Sequence, residues 1–177
     1  MIRPNMRNIP QMEFPAGFGI RPMRLDEIPL WTDVQRDAEE YVEIANDLFM
    51  QQFGDDLPAV EQRCFFVVNE KGDAVGTISA WYSLDFKGGD WGRIHWVAVR
   101  PAYQGRGLGK AALSYTMNRL AEWHDRACLF TATTRIPAIK MYLNFGFEPD
   151  LDPPGAQEAW REVGLALKHP ALEKLDL

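Results

Sequence analysis

Two absences in this sequence each exclude a class of protein. No apolar run approaches the ~20 residues that a membrane-spanning helix needs, and the first 14 residues lack the apolar segment of a signal peptide. Cysteine is scarce, since Cys64 and Cys128 stand alone in separate apolar runs without metal-ligand spacing. We therefore expect buried, reduced thiols, no metal site, no membrane partner and a cytoplasmic location.

Positive charge is also in short supply, which argues against a nucleic-acid partner. The chain carries 19 Lys and Arg against 25 Asp and Glu, with a formal net charge of −6 and a pI near 5.1. Proteins that bind nucleic acid present a basic face, and this composition does not favour one. The sequence leaves open whether the protein is a monomer or a homodimer.

What the chain does contain fits one α/β domain. Its 177 residues are 46% hydrophobic and 25% charged, which is enough apolar material for a single buried core. Prolines at positions 4, 10 and 15 and the lack of periodicity predict an extended N-terminal arm over residues 1–16. We assign residues 17–169 to one domain and residues 170–177 to a C-terminal tail.

The hydrophobic pattern predicts the element order β-α-α-β-β-β-α-β-α-β-β, which is a mixed α/β sheet. Apolar residues at helical spacing predict a helix over residues 37–53. Residues 64–69 and 75–82 predict an antiparallel pair of strands. Residues 83–92 are expected to form a loop, and residues 160–167 are expected to be the return strand of a final hairpin.

The stretch RIHWVAVRPAYQGRGLGK, residues 93–110, organises the rest of the chain. Its β-branched and aromatic residues 94–99 predict a strand, which Pro101 ends because proline cannot donate to a ladder. A glycine-rich turn then opens a helical pattern. N–H groups at a helix start lack partners inside the helix, and glycines let an anion approach them closely. The stretch is therefore typical of a phosphate-binding turn, flanked by Arg106 and Lys110.

Two known phosphate-binding motifs do not fit this turn. A Walker loop requires G-x-x-x-x-G-K-[ST], whereas Lys110 is followed by Ala111, and residues 105–111 do not supply a dinucleotide G-x-G-x-x-G fingerprint. The turn does resemble the pyrophosphate-binding motif [QR]-x-x-G-x-[GA] of the GNAT superfamily of N-acetyltransferases. Gln104, Gly107 and Gly109 occupy its three defined positions.

A second motif strengthens the resemblance. The family commonly carries N-x-x-A-x-x-x-Y-x-x-x-G-F after its fifth strand, and residues 135–147 match its Ala, Tyr, Gly and Phe. Arg135 stands where the family usually has asparagine, and an arginine there would be able to reach phosphate. The strong match covers about residues 93–150, and the earlier third agrees in element order alone.

The resemblance implies both a fold and a reaction. The fold class is α/β, with a GNAT-type mixed and mostly antiparallel central sheet, flanking helices, and a splay between the family's fourth and fifth strands, here residues 94–99 and 127–132. The reaction is transfer of an acetyl group from acetyl-CoA, a co-substrate, to the primary amine of a small molecule. A protein or peptide acceptor, and a non-catalytic acyl-CoA-binding protein, remain as alternatives.

Site residues are carried over from the family by position. The residues implied to contact acetyl-CoA are Val97, Ala98, Val99, Gln104, Gly105, Arg106, Gly107, Leu108, Gly109, Lys110, Arg135 and Tyr142.

The departing thiolate needs a proton donor and the amine needs a base. Tyr142 is implied to be the donor, because the family carries a tyrosine there near the CoA sulfur; the alternative is a core aromatic. Some members place Glu or His on the strand before the turn, which corresponds to Arg93 and His95. Arg93 cannot act as a base because its guanidinium stays protonated. His95 either relays a proton or is structural, and Asp85 and Asp90 are further candidates.

The acceptor pocket is implied to form where this fold gathers the loop at 83–92 and the helices at 27–53. Aromatic side chains in those segments suit an amine ligand, although each is also an ordinary core residue. The predicted lining set is Tyr41, Phe49, Trp81 and Trp91.

Overall fold

A six-stranded sheet forms the centre of the molecule in the computed structural model, which describes residues 1–173. The strands lie in the order β1-β6-β5-β4-β3-β2, and all neighbours are antiparallel except β5 and β6, which are parallel. In chain order they are β1 (Ile2–Arg3), β2 (Phe18–Pro22), β3 (Cys64–Asn69), β4 (Ala74–Phe86), β5 (Gly89–Val99) and β6 (Ala127–Cys128). The predicted mixed, mostly antiparallel sheet is confirmed.

Seven helices pack against this sheet or follow it within the described part of the chain. They are α1 (Ile28–Ala38), α2 (Leu48–Phe53), α3 (Leu57–Arg63), α4 (Leu108–Leu120), α5 (Ile136–Asn144), α6 (Ala156–Ala166) and α7 (Pro170–Glu173). Short 3₁₀ turns cover Leu25–Glu27, Gly54–Asp56 and Pro101–Tyr103. None of the helices within residues 1–173 is long and apolar enough to cross a membrane.

The sheet separates two hydrophobic clusters. Alternation along β3 sends Phe65 to the cluster under α4 and α5, and sends Phe66 to the cluster under α1, α2 and α3. The second cluster is aromatic, with Trp31 packed edge-on against Phe49 and Phe53 at centroid distances of 5.1 and 5.7 Å. Burial of each such side chain contributes about 1.5–3 kcal/mol, so both sheet faces hold their helices firmly.

A β-bulge interrupts β5 at Trp96. Ala98 pairs with Thr77 and His95 pairs with Ser79, so Trp96 and Val97 together oppose a single residue of β4. Trp96 adopts a positive φ of 48°, which is uncommon for a bulky residue. Its carbonyl accepts hydrogen bonds from Gln35 Nε2 at 3.1 Å and Thr77 Oγ1 at 3.0 Å, which hold the bulge in place.

Strands β5 and β6 separate soon after they meet. They pair through Gly92 with Ala127 and Arg93 with Cys128, and the chain beyond Cys128 no longer pairs with β5. The second strand was predicted to run over residues 127–132, but it ends at Cys128 because the following residues diverge. This divergence is the splay that the family resemblance implies, and it opens a cleft beside residues 97–99.

The predicted helix over residues 37–53 is wrong. Helix α1 ends at Ala38, Glu39 is extended, and helix α2 begins only at Leu48. The apolar residues that suggested the helix include Tyr41, which is 59% exposed and packs into neither cluster. Arg36 instead donates to the carbonyl of Ile44 at 3.1 Å, which stabilises an irregular connection.

The predicted loop over residues 83–92 is a β-hairpin. Strand β4 continues to Phe86, which pairs with Gly89 at the start of β5. The two residues between them, Lys87 and Gly88, have positive φ values of 49° and 70°, as a two-residue hairpin turn with right-handed strand twist requires.

The predicted final hairpin with a return strand at 160–167 is also wrong. Helix α6 covers most of that segment, and Gly155 precedes it as the N-cap with a φ of +77°. Trp160, Val163 and Leu167 lie three and four residues apart, so they meet the core from one helical face. A single isolated bridge, between Ile2 and Glu148, stands near the position of the expected first strand of that hairpin.

The ends of the chain contribute to the fold as well. Within the predicted N-terminal arm, Ile2 and Arg3 pair with β6, and buried Arg3 donates to the carbonyl of Phe145 at the end of α5. In the predicted C-terminal tail, Pro170–Glu173 form α7, and residues 174–177 lie outside the described residues. Both cysteines are buried and free, as predicted.

Candidate active site

The glycine turn, residues 104–109, leads from β5 into α4. Gly105 and Gly107 have φ values of +75° and +85°, and a Cβ added at either would meet no atom within 4 Å. Across residues 1–173, no backbone acceptor receives the N–H groups of residues 105–109. This N–H cluster lies at a helix start that borders a cavity, and the helix dipole there favours an anion.

The residues around the glycine turn set its position. Gln104 Nε2 donates to the carbonyl of Val99 at 2.9 Å, which ties the turn to the end of β5. Leu108 is buried and anchors the first turn of α4. Arg106 donates to the carbonyl of Ala102 at 3.2 Å and lies over the Tyr103 ring, while Lys110 is exposed. The two cations therefore flank the N–H cluster, as the sequence predicted.

Three adjoining cavities form a path from the glycine turn into the protein. The outer cavity, about 260 Å³, is lined by the turn together with Val99 and Met141. The middle cavity, about 240 Å³, is lined by residues 97–99, Gln104 and Arg135. The inner cavity, about 310 Å³, is lined by Arg93, His95 and Tyr142 among others. Ala138 borders all three, so the cavities adjoin one another along α5.

Tyr142 lies at the inner end of this path. It sits on α5, is 6% exposed, and packs edge-on against Phe147 at 6.0 Å. Burial raises the pKa of its phenol to about 12, against a smaller opposing effect of Arg135. The hydroxyl therefore keeps its proton at neutral pH and is available as a donor toward the inner cavity.

His95 also borders the inner cavity, from the opposite wall. The bulge places it on the face of α1–α3, where its ring lies 5.3 Å from that of Phe53, rather than on the face of Val97. Burial, and secondly the charge of Arg93, lower its pKa to about 3. Its imidazole is therefore neutral at neutral pH and is poorly suited to hold a proton taken from an amine.

Arg135 forms an ion pair across the path. Its Nη2 lies 2.8 and 2.7 Å from the two carboxylate oxygens of Glu39, which follows α1. The guanidinium also lies over the ring of Tyr41, at 5.7 Å from the centroid. Glu39 and Arg135 both line the middle and inner cavities. A contact between Arg135 and the phosphates of CoA would require this pair to open.

The structure corrects the predicted acceptor lining set. Phe49, Trp81 and Trp91 are buried, Phe49 completely, and none of them lines the outer, middle or inner cavity. Phe49 and Trp81 belong to the aromatic cluster under α1–α3, because their sheet-facing positions bury them. Tyr41 does border the middle cavity. Asp85 and Asp90 are exposed on the β4–β5 hairpin and border none of the three cavities.

Sequence reasoning missed several residues that the structure brings to the inner cavity. Gln35 comes from α1, Gln52 from α2 and Phe130 from the segment after β6. Gln52 Oε1 accepts a hydrogen bond from Trp96 Nε1 at 3.2 Å, which fixes a second polar group beside the bulge. These residues follow no local motif. Groups of three or more metal-ligating side chains are absent from residues 1–173.

Comparison with known families agrees with this geometry. The Acetyltransferase (GNAT) family matches residues 6–147 of the sequence. The chain belongs to the GNAT family of acetyltransferases. The matched range contains the glycine turn, the bulged strand β5 and Tyr142. Acetyltransferases of this family use acetyl-CoA as the acyl donor. No curated protein sequence matches the chain significantly.

Solved structures show the same fold at low sequence identity. The GCN5-related N-acetyltransferase from Sphaerobacter thermophilus is 17% identical, with a TM-score of 0.61, over 92% of this chain and 46% of that one. A predicted acetyltransferase from Clostridium acetobutylicum, with acetyl-CoA, is 17% identical with a TM-score of 0.60, over 77% and 93%. Glucosamine-6-phosphate N-acetyltransferase from Arabidopsis thaliana is 16% identical with a TM-score of 0.55, over 77% and 95%.

Some of these structures are much longer than the present GNAT chain. The chain spans about half the length of three of them, between 46% and 50%. The likeness therefore concerns the GNAT domain itself, and the activity of the whole protein is argued below from this chain's own site.

Proposed function

We propose that this GNAT protein transfers the acetyl group of acetyl-CoA to the primary amine of a small molecule. The observation that carries the proposal is the row of adjoining cavities from the N–H cluster of the glycine turn to Tyr142. Its outer end offers donors for an anion, and its inner end offers a proton donor beside a cavity of about 310 Å³. Acetyl-CoA bound along this path would supply an activated acetyl thioester.

The glycine turn fits the diphosphate of CoA. The N–H groups of residues 105–109 lack backbone acceptors elsewhere in the described chain, and the two left-handed glycines leave open space in front of them. An anion there would receive several hydrogen bonds together with the favourable end of the α4 dipole. The backbone of residues 97–99, which the splay leaves without pairing to β6, would border the pantetheine arm in the middle cavity.

Tyr142 is the group that we propose to donate the proton to the leaving thiolate. Its buried phenol, with a pKa of about 12, stays protonated at neutral pH. Proton donation by a positioned side chain contributes about 10²- to 10⁴-fold to rate. The tyrosine borders the inner cavity beside Met141 and Ala138, where the path from the glycine turn ends.

The amine reacts as its neutral form, so its proton must leave before or during acyl transfer. We propose that His95 accepts a hydrogen bond from the amine or from water and so orients it. An imidazole with a pKa of about 3 does not hold the proton itself. The proton then passes to solvent, to which the inner cavity is open.

The volume of the inner cavity, about 310 Å³, supports a small amine over the peptide alternative. Its described lining is drawn from α1, α2, β5, α5, the α1–α2 connection and the segment after β6. In the Arabidopsis enzyme named above, the acceptor is glucosamine-6-phosphate, which is also a small amine.

Release of free thiol from acetyl-CoA tests the proposal across amines, amino acids, aminoglycosides and short peptides. We expect at least one small amine to exceed every peptide in rate. Faster release with peptides would favour the protein-acetylating alternative. Tight CoA binding by calorimetry, without thiol release for any amine, would instead identify a non-catalytic acyl-CoA-binding protein.

A further inference from the structure

Arg93 is a half-buried cation that the mechanism does not use. It lies on β5 between Trp81 of β4 and Cys128 of β6, and its guanidinium faces the inner cavity. Its Nε is buried and has no hydrogen-bond partner among residues 1–173. Its guanidinium lies over the ring of Phe130, with the guanidinium carbon 4.7 Å from the ring centroid.

The two arginines of the inner cavity differ in their partners. Arg135 pairs with Glu39. None of the ion pairs found within the described chain includes Arg93. A guanidinium withdrawn from water without a carboxylate costs stability, since desolvation is not offset by an ion pair. Burial accordingly lowers the pKa of Arg93, although arginine stays charged at neutral pH.

The inner cavity therefore has a positive charge in an acidic protein. Its charged lining residues are Arg93, Arg135 and Glu39, and Glu39 neutralises Arg135. His95 adds no charge at neutral pH, because its pKa is about 3. One unneutralised cation remains, although the whole chain has a formal net charge of −6. A ligand group that enters this cavity meets a field favouring an anion.

An anion bound at Arg93 would lie in a different cavity from the phosphates of CoA. Arg93 lines the inner cavity but neither the middle nor the outer cavity, whereas the glycine turn lines the outer one. Arg93 and His95 are two residues apart on β5, before the bulge, so their side chains share a face. An anion on Arg93 would therefore leave the remainder of the ligand beside His95 and opposite Tyr142.

We propose that Arg93 binds the carboxylate of the acceptor, and that the acceptor is a small amino acid whose amine lies beside His95. This proposal rests on the proposed acetyl transfer for its chemistry and on Arg93 for its substrate class. The planar guanidinium matches a carboxylate with two parallel hydrogen bonds. Val42, Phe130 and Met141 give the same cavity an apolar wall for a side chain. A cavity of about 310 Å³ is at the small end of ligand sites.

The test measures binding separately from turnover. Calorimetry with saturating free CoA would compare the common L-amino acids with their amides and with phosphoethanolamine. We expect at least one amino acid to bind about 10- to 100-fold more tightly than its amide, as hydrogen bonds to a charged carboxylate imply. Amides that bind as well as acids, or phosphoethanolamine as the tightest ligand, would overturn the proposal, as would no amino acid binding at all.

Substitution of Arg93 then assigns the preference to one side chain. In Arg93→Gln the preference for acid over amide should fall to about one, and Arg93→Lys should retain a few-fold preference. Arg126→Gln is the matched control, because Arg126 also lies over an aromatic ring, that of Trp91 at 4.5 Å, outside the inner cavity. A preference that survives in Arg93→Gln would contradict the assignment.

Two further readouts separate the alternatives. Arg93→Gln should melt no lower than the parent, because it removes a half-buried charge that has no carboxylate partner; a large fall in melting temperature would assign Arg93 to structure and overturn the proposal. Thiol release from acetyl-CoA with the tightest-binding amino acid tests acetyl transfer itself. Binding that depends on Arg93 but yields no thiol would refute the proposed enzyme activity and leave the carboxylate site standing.

Discussion

The two ends of the cleft recognise their ligands by different means. At the glycine turn, the groups offered to a ligand are backbone N–H donors, presented by two glycines with positive φ. At the inner cavity, they are side chains drawn from distant segments, such as Gln35, Gln52, Arg93 and Tyr142. Backbone recognition requires a local glycine pattern, whereas side-chain recognition requires only that the fold bring residues together. Backbone recognition can therefore be predicted from a sequence, whereas side-chain recognition cannot.

The largest effect is expected at Tyr142, which lies at the inner end of the cleft. Tyr142→Phe removes one oxygen and keeps the packing of the ring against Phe147. Turnover should fall by about 10²- to 10⁴-fold, because the proton donor is lost, while CoA affinity stays within a few-fold. Calorimetry with CoA and thiol-release kinetics on one preparation measure both.

Tyr115→Phe is the matched control for that substitution. Tyr115, on α4, packs edge-on against Phe65 of β3, with the ring centroids 5.2 Å apart. It lines none of the three cavities. It should lose little activity. Full activity in a correctly folded Tyr142→Phe protein would end the assignment, because phenylalanine has no proton to give.

A second substitution acts at the glycine turn alone. Gly107→Glu should weaken CoA binding by at least about 100-fold, because a carboxylate would stand a few ångströms from the diphosphate. Binding of the amine acceptor should change far less. Gly155→Glu controls for backbone strain, since Gly155 is also a helix N-cap with a positive φ and open space around it. Equal loss of CoA affinity in both variants would remove the turn from the site.

A smaller effect is expected at the ion pair between Arg135 and Glu39. Arg135→Asn, which installs the residue usual in the family, should change CoA affinity by less than about three-fold, because the guanidinium is engaged by Glu39. A double-mutant cycle with Glu39→Gln measures the coupling, expected at about 1 kcal/mol or less. A loss of about ten-fold or more in Arg135→Asn alone would show that Arg135 contacts the phosphates.

A separate effect concerns the pH dependence of stability. The folded-state pKa of His95, about 3, lies below its ordinary value of 6.5, so the unfolded chain binds a proton that the folded one does not. The stabilising contribution is complete above pH 6.5 and falls as pH drops toward 3, by at most about 1.4 kcal/mol per pH unit. Urea unfolding of the parent and of His95→Gln between pH 4 and 7 should show a weaker dependence in the variant.

Turnover of the same variant sharpens the role of His95. If the neutral imidazole orients the amine, the ratio of parent to His95→Gln rates should be constant between pH 6 and 9. A ratio that shrinks as pH rises would show that His95 acts as the base after all. His169→Gln, altered at a hydrogen bond to Asn144 far from the cavities, is the control.

The outcome of the sequence predictions follows the same division. Strand β3, the turn after β5, and helix α5 with Tyr142 were located because glycines, proline and β-branched runs act locally. Residues 37–53 and 160–167 were misassigned because their apolar spacing suits more than one structure and tertiary contacts decide between them. Arg93 was dismissed as a base, and only its lack of a partner in the fold reveals a different use.

The bulge at Trp96 shifts the alternation of side chains along β5 by one residue. Before it, odd-numbered residues face α1–α3, and after it the even-numbered Ala98 does so while Val97 and Val99 turn to the other face. Loss of one residue here would restore simple alternation and leave His95 and Ala98 on one face, because their partners Ser79 and Thr77 lie two residues apart on β4. In an alignment of GNAT sequences, a one-residue gap at this position would therefore mark a chain that keeps these faces but lacks the bulge carbonyl that Gln35 and Thr77 hold here.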